Sequence, residues 1–98
     1  MSVTSSEAAN KVTINVVGRF DFSAHEEFIN AYRDHPKGDK VFAVDLSATE
    51  YMDSSAMGML LQLREHADKG TKIALTNAND NIQEILKIAN FDKLFDVS

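Results

Sequence analysis

The sequence predicts a single α/β domain over residues 1–98: a mixed, mostly parallel sheet of about four to five strands packed with about three helices. Three observations predict it. Segments of period two alternate with segments of helical period along the chain. The run Val41-Phe42-Ala43-Val44-Asp45-Leu46 is almost continuously apolar, as expected of a central strand covered on both faces. Finally, 98 residues with 44% apolar content suffice for one core, and no repeat, low-complexity tract or linker divides it.

Val3–Glu7 reads as a weak edge strand that turns back through Ala8-Ala9-Asn10. Lys11–Val17 places Val12, Ile14 and Val16 on one face and Thr13 and Asn15 on the other, the pattern of a half-buried strand. Gly18-Arg19-Phe20-Asp21 ends it. Ser23, with Glu26 three residues on, has the form of a capping box. The helix predicted over Ala24 to about Arg33 buries Ala24, Phe28, Ala31 and Tyr32, and His35-Pro36-Lys37-Gly38-Asp39 breaks it. In the central strand Phe42 and Val44 are expected on opposite faces, each beneath a helix. Ser47 to Met52 is read as a connector.

Asp53-Ser54-Ser55 offers side-chain acceptors at a helix entrance, and Ala56, Leu60, Leu63 and Ala67 then recur at helical spacing to about Lys69. Gly70 is the expected stop. Thr71–Thr76 is the next strand, with Ile73 and Leu75 inward. Asn77 or Asn79 caps a third helix presenting Ile82, Ile85, Leu86 and Ala89, and a short last strand closes the chain within Leu94–Val97.

Composition narrows the function. A net charge of −5 with scattered Lys11, Arg19, Arg33, Lys37, Lys40 and Arg64 does not suit phosphate-backbone neutralisation, so no nucleic-acid partner is expected. Without cysteine there is neither disulfide nor thiolate metal site. The opening Met1-Ser2-Val3-Thr4-Ser5-Ser6-Glu7 lacks the charged and apolar regions of a signal peptide, and no apolar run is long enough for a membrane span; the expected location is the cytoplasm. Gly18, Gly38, Gly58 and Gly70 lie too far apart for a phosphate loop. His25, His35 and His66 share no metal-ligand spacing and read as surface residues. Asp21, Asp45 and Asp53 read as turn, strand-end and cap residues more readily than as a carboxylate cluster. No enzyme, cofactor, metal or small-molecule substrate is expected.

What remains is VFAVDLSATEYMDSSAMGMLLQLREHADKG from Val41 onward: a buried strand ending in Asp45-Leu46, a connector, then Met52-Asp53-Ser54-Ser55 opening a helix. With Gly18-Arg19-Phe20-Asp21 upstream and Ile85-Leu86-Lys87-Ile88-Ala89-Asn90-Phe91-Asp92-Lys93-Leu94-Phe95 downstream, this resembles the STAS-domain family, in particular the bacterial anti-sigma factor antagonists. The resemblance runs over nearly the whole chain. The sequence departs from the family's Asp-Ser-Ser/Thr-Gly-x-Gly at Ala56, where the first glycine is expected, and keeps the second as Gly58.

The resemblance implies that Ser54 is phosphorylated by an anti-sigma factor that is a serine kinase, and dephosphorylated by a serine phosphatase. The unphosphorylated domain would bind the kinase and release a sequestered regulator. Asp21, Asp53, Ser55, Met57 and Gly58 would form the partner-binding surface near that site. Met57, Met59 and Leu61 cannot all point inward beside Leu60 and Leu63, so at least one is expected to be exposed. The alternative is an accessory STAS subunit of an ABC-type lipid transporter or other non-sigma regulatory complex; the intact Asp53-Ser54-Ser55 favours the regulator.

Overall fold

The computed structural model describes residues 2–35, 40–67 and 72–98. Its elements are β1 (Ser2–Ala8), β2 (Lys11–Phe20), α1 (His25–Asn30), β3 (Val41–Asp45), β4 (Thr49–Met52), α2 (Ser54–His66), β5 (Ala74–Thr76), α3 (Asp80–Ile88) and β6 (Asp96–Val97), with single 3-10 turns at Phe22–Ala24 and Phe91–Lys93. The sheet runs β1-β2-β3-β5-β6, with β4 attached to β2 off this path. β1 and β2 form an antiparallel hairpin in which Val3 faces Val16 and Ala8 faces Lys11. Ala9 takes a left-handed conformation (φ 56°) to close it. Every other pairing among the described residues is parallel.

The path through the sheet decides where the helices lie. Along the sheet path β2, β3, β5 and β6 follow in one direction, the chain passing through β4 beside the far end of β2 between β3 and α2. Right-handed crossovers that advance in one direction deposit their helices on one face. Register agrees: Val12 pairs with Phe42, Ile14 with Val44, and Val44 with Leu75, giving one continuous apolar surface. Against it pack Ala24, Phe28 and Tyr32 from the α1 region, Ala56, Met59, Leu60 and Leu63 from α2, and Ile82 and Leu86 from α3.

The expectation of a strand covered by helices on both faces is therefore corrected. Phe42 and Val44 are both fully buried but share a face, because strand side chains alternate and the two are two residues apart. Ala43 points the other way, between its register partners Thr13 and Ala74. Around it Thr13, Asn15, Asp45 and Thr76 are half-buried. A small Ala in a flanked position is buried without any helix above it.

Local boundaries also differ. The turn before α1 is capped by Asp21, whose carboxylate accepts from the Ser23 amide, and Ser23 does not cap; α1 has no side-chain cap. The predicted stretch to Arg33 shortens to Asn30, with Tyr32 buried and Ala31 half-buried. The predicted breaker lies outside the described residues after His35, as do Lys69, Gly70 and Thr71. α3 is capped by Asn79, while Asn77 adopts φ 61° in the preceding loop. Its Ile82 and Leu86 are buried, Ile85 is half-buried and Ala89 is exposed.

The histidines are half-buried rather than fully at the surface. His66 lies 2.6 Å from the His35 carbonyl through Nε2, and its ring packs on Tyr32 and Phe42. This ties the end of α2 to the segment after α1.

Candidate functional site

The element read as a connector builds the site. Thr49–Met52 is a strand, β4, that lies parallel to the far end of β2. Gly18 pairs with Thr49, Arg19 with Tyr51 and Phe20 with Met52, leaving Glu50 as the extra residue of a bulge. Gly18 has φ 90°, a region that side chains disfavour, and its amide donates to the Ala48 carbonyl at 2.9 Å. Buried Thr49 fastens the strand from within by donating its hydroxyl to the Val16 carbonyl at 2.8 Å. The Gly-Arg-Phe-Asp turn and the Met-Asp-Ser-Ser segment, far apart in sequence, are thereby laid side by side.

At the end of this ribbon the Asp53 amide donates to the Phe20 carbonyl at 3.4 Å, so Asp21 and Asp53 leave adjacent strands together. Asp53 is the N-cap of α2: its Oδ1 accepts from the Ala56 amide at 3.1 Å and from the Ser55 hydroxyl at 2.7 Å. Ser55 is thus half-buried and engaged. Ser54, the first residue of the helix, is exposed. Past Asp53, no acidic side chain occupies the first turn of α2, so the carboxylate of the cap is the charge this helix sets against the positive end of its dipole.

Asp21 holds the opposite wall. Its Oδ1 accepts from the Ser23 amide at 3.0 Å and the Ser23 hydroxyl at 2.5 Å, while Oδ2 lies 3.5 Å from Arg19 Nε. The Ser23 hydrogen bonds, with a smaller contribution from Arg19, hold its carboxyl below the usual carboxylate range. The Arg19 guanidinium stands 4.2 Å over the Tyr51 ring.

From Ser54 an exposed strip climbs α2 at helical spacing: Met57 half-buried, Gly58 and Leu61 exposed, with Leu61 at 40%. Met59 is buried, so the outward residue of the three is Leu61 and Met57 sits at the margin. A Cβ added at Gly58 would meet nothing within 4 Å. Phe22, directly after Asp21, is 68% exposed and stacks on His25 at 5.0 Å. Sequence reasoning does not single out Phe22, Arg19 or Tyr51 as part of the site, and it names Leu61 only among three residues of which at least one is exposed. Leu61, seven residues after Ser54, carries a usable signal, since that spacing returns to the same helix face. Tyr51 carries none until β4 is seen.

Asp45 does not join this rim. It pairs in register with Asn15, five residues of strand before Phe20, which places it on the order of 16 Å away. Its carboxylate accepts from the Ser47 amide at 2.9 Å, which, with bonds from the Ser47 and Asn77 side chains, keeps it below the ordinary range. Among the described residues no three His, Asp or Glu side chains gather as metal ligands. No helix of the described residues is long and apolar enough to cross a membrane. A cleft of about 360 Å³ lies between β4 and α3, lined by Tyr51, Met52, Ile82, Ile85 and Ile88 with Glu50 and Glu84.

The family described as "Mlab, STAS domain" matches residues 3–96. The chain belongs to the STAS-domain family. A STAS-domain containing protein of Pseudomonas aeruginosa (strain UCBPP-PA14) is 42% identical over 101 residues, spanning 100% of both chains. Among solved structures, an anti-sigma factor antagonist from Mycobacterium paratuberculosis superposes with a TM-score of 0.80 at 17% identity, over 98% of this STAS domain and 83% of that chain. The anti-sigma factor antagonist SpoIIAA in its unphosphorylated form gives 0.65 at 19% identity, over 88% and 82%. These two likenesses establish the shared fold.

Proposed function

We propose that this STAS domain is a cytoplasmic, non-catalytic anti-sigma factor antagonist switched by phosphorylation of Ser54. One observation carries the reading: Ser54 is exposed at the head of α2, whereas Asp53 and Ser55 beside it are engaged with each other in the cap. The family and the fold of the two antagonists support it. A partner serine kinase would supply ATP. The Ser54 Oγ attacks the γ-phosphorus, an Oγ–P bond forms, the bond to ADP breaks, and a base on the kinase takes the hydroxyl proton. A phosphatase reverses the state by hydrolysis.

The consequence is electrostatic and steric. Phosphate adds about −1.5 to −2 charges and three acceptor oxygens at the entrance of a helix that tolerates anions. It does so next to Asp53 and at the foot of the Met57–Gly58–Leu61 strip. A partner that desolvates this patch meets charge where it previously met a neutral hydroxyl. The helix itself need not refold.

The test is site mapping by mass spectrometry with the cognate kinase, beside binding assays. Ser54→Ala should fold, resist phosphorylation and bind constitutively. Ser54→Asp should fold and bind about tenfold more weakly or worse, about 1.4 kcal/mol. Ser55→Ala should keep most of the phosphorylation. Phosphate on Ser55 with Ser54 untouched overturns the site. Equal affinity of Ser54→Ala, Ser54→Asp and the phosphorylated protein overturns the switch and leaves a constitutive accessory subunit.

A further inference from the structure

We propose that Arg19 is the counter-ion of the Ser54 phosphate: on phosphorylation its guanidinium leaves Asp21 and pairs with the phosphate while remaining on Tyr51. This rests on Ser54 being the modified residue and adds the group that receives the modification.

Register sets the arrangement. Arg19 and Asp21 lie on one side of β2 and its continuation, because they are two residues apart. Tyr51 and Asp53 do the same on β4, and Arg19 pairs directly with Tyr51. The four side chains form a square of a cation, an aromatic ring and two carboxylates, with Ser54 one residue beyond its corner. Strand spacing near 4.8 Å and a rise near 3.3 Å per residue put the Asp53 backbone about 8 Å from that of Arg19. An extended arginine and a phosphoserine together cover that distance and the further residue.

The present engagement of Arg19 is one that can be given up. It is 64% exposed, and its contact with Asp21 is a single 3.5 Å approach to Oδ2. Ion pairs of this kind contribute little. The two hydrogen bonds that hold the turn use the other oxygen, Oδ1, so losing Arg19 leaves the Asp21 cap intact. A phosphate offers more charge than a carboxylate and oxygens that a guanidinium can bind two at a time. The Tyr51 face, 4.2 Å away, keeps the side chain along the ribbon instead of free in solvent. The charged groups bordering the phosphate would be Arg19 from β2, Asp21 from the turn, His25 from α1, Glu50 from β4 and Asp53 from the cap of α2. Arg19 is the one fixed cation of that set.

Asp21 then changes state as well. Unphosphorylated, its Oδ2 faces Arg19; phosphorylated, it loses that cation beside Phe22. The modification would therefore be felt at the turn before α1 as well as at Ser54.

The experiment places phosphoserine directly at position 54 during translation, so that it does not depend on any kinase. Phosphorus NMR then follows the second ionisation of the phosphate. In the otherwise unchanged domain the midpoint should lie below that of Arg19→Gln by about half a unit or more, about threefold in proton affinity. Arg19→Lys should fall between, and Tyr51→Leu should lose part of the difference. Adding about 1 M salt should shrink it. Phosphoserine at position 55 should show no dependence on Arg19. Circular dichroism confirms that each variant is folded. Identical midpoints for the unchanged protein and Arg19→Gln overturn the proposal. Because the phosphate is installed, kinase mapping that moves the natural site elsewhere removes the proposed function and leaves this measurement able to stand or fall alone.

Discussion

Two helices of this domain begin in the same way and end in different roles. Asp53 caps α2 by accepting from the Ala56 amide at 3.1 Å, and Asn79 caps α3 by accepting from the Ile82 amide at 2.9 Å. Both caps have extended backbones, with φ −120°, ψ −174° for Asp53 and φ −69°, ψ 170° for Asn79. The two entrances differ in the residues just past each cap. α3 continues with Asp80, an acid in the first turn that answers the dipole, and Asn79 Nδ2 also approaches the Thr49 carbonyl at 3.4 Å. That entrance is exposed as well, at Asn79, Asp80 and Asn81, and is tied to β4. α2 continues with an exposed hydroxyl and no acid. A cap motif by itself therefore says only that a helix starts. On the proposed reading, what sets α2 apart is a hydroxyl at the exposed first position of the helix, where α3 carries a carboxylate.

Deep beneath the two helices the difference should vanish. Leu60 in α2 and Leu86 in α3 are both fully buried in the same cluster. Leu60→Ala and Leu86→Ala should each lower stability by about 2–5 kcal/mol in denaturant unfolding. A loss below about 1 kcal/mol at only one of them would mean that the helices do not share one core.

At the caps the helices should separate. Asp53→Ala and Asn79→Ala should each lose about 1 kcal/mol of stability. Only Asp53→Ala should also change the rate at which Ser54 is phosphorylated, because it frees Ser55 and removes charge beside the acceptor. Equal phosphorylation rates in the two variants would make Asp53 a structural cap like Asn79.

A smaller effect sharpens the contrast further along α2. Gly58 stands in a helix interior with open space where a Cβ would go. Gly58→Ala should therefore raise stability by about 0.5–1 kcal/mol, with partner affinity measured in parallel. A stability gain accompanied by weaker binding would mean that the partner rests on the bare backbone. A loss of stability would show that the space is not open.

The smallest effect is the acid response. Asp21 and Asp45 have depressed carboxyls in the folded state. Their contribution is complete above the unfolded value near 3.9 and is lost as pH falls through the lower folded values. Asp45→Asn should flatten the decline in stability below about pH 4 without touching phosphorylation of Ser54. Asp21→Asn should flatten it too, and should alter partner binding. If neither variant changes the acid limb, those hydrogen bonds do not favour the charged forms.

Much of this is legible along the chain. Alternation specifies β2, and the apolar run specifies a central strand, because local side-chain period is a property of neighbours in sequence. Asp53 can be read as a cap for the same reason: a cap acts on amides three residues away. Asp21 is hidden as a cap since Ser23 and Glu26 offer a matching pattern, and the backbone uses a tighter 3-10 turn first. β4 cannot be read at all. Its four residues are buried only at Thr49 and Met52, a spacing of three that mimics neither a half-buried strand nor a helix.

The sequence by itself determined β2, β3, the entrance of α2 and the exposed serine, all set by contacts within a few residues. The tertiary structure alone decided that α1, α2 and α3 lie on one face, through the one-way order of right-handed crossovers. It alone decided that Asp21, Arg19, Tyr51 and Asp53 are brought side by side. That meeting depends on parallel pairing between β2 and β4 across a long sequence interval, and parallel strands carry no local turn to announce their register.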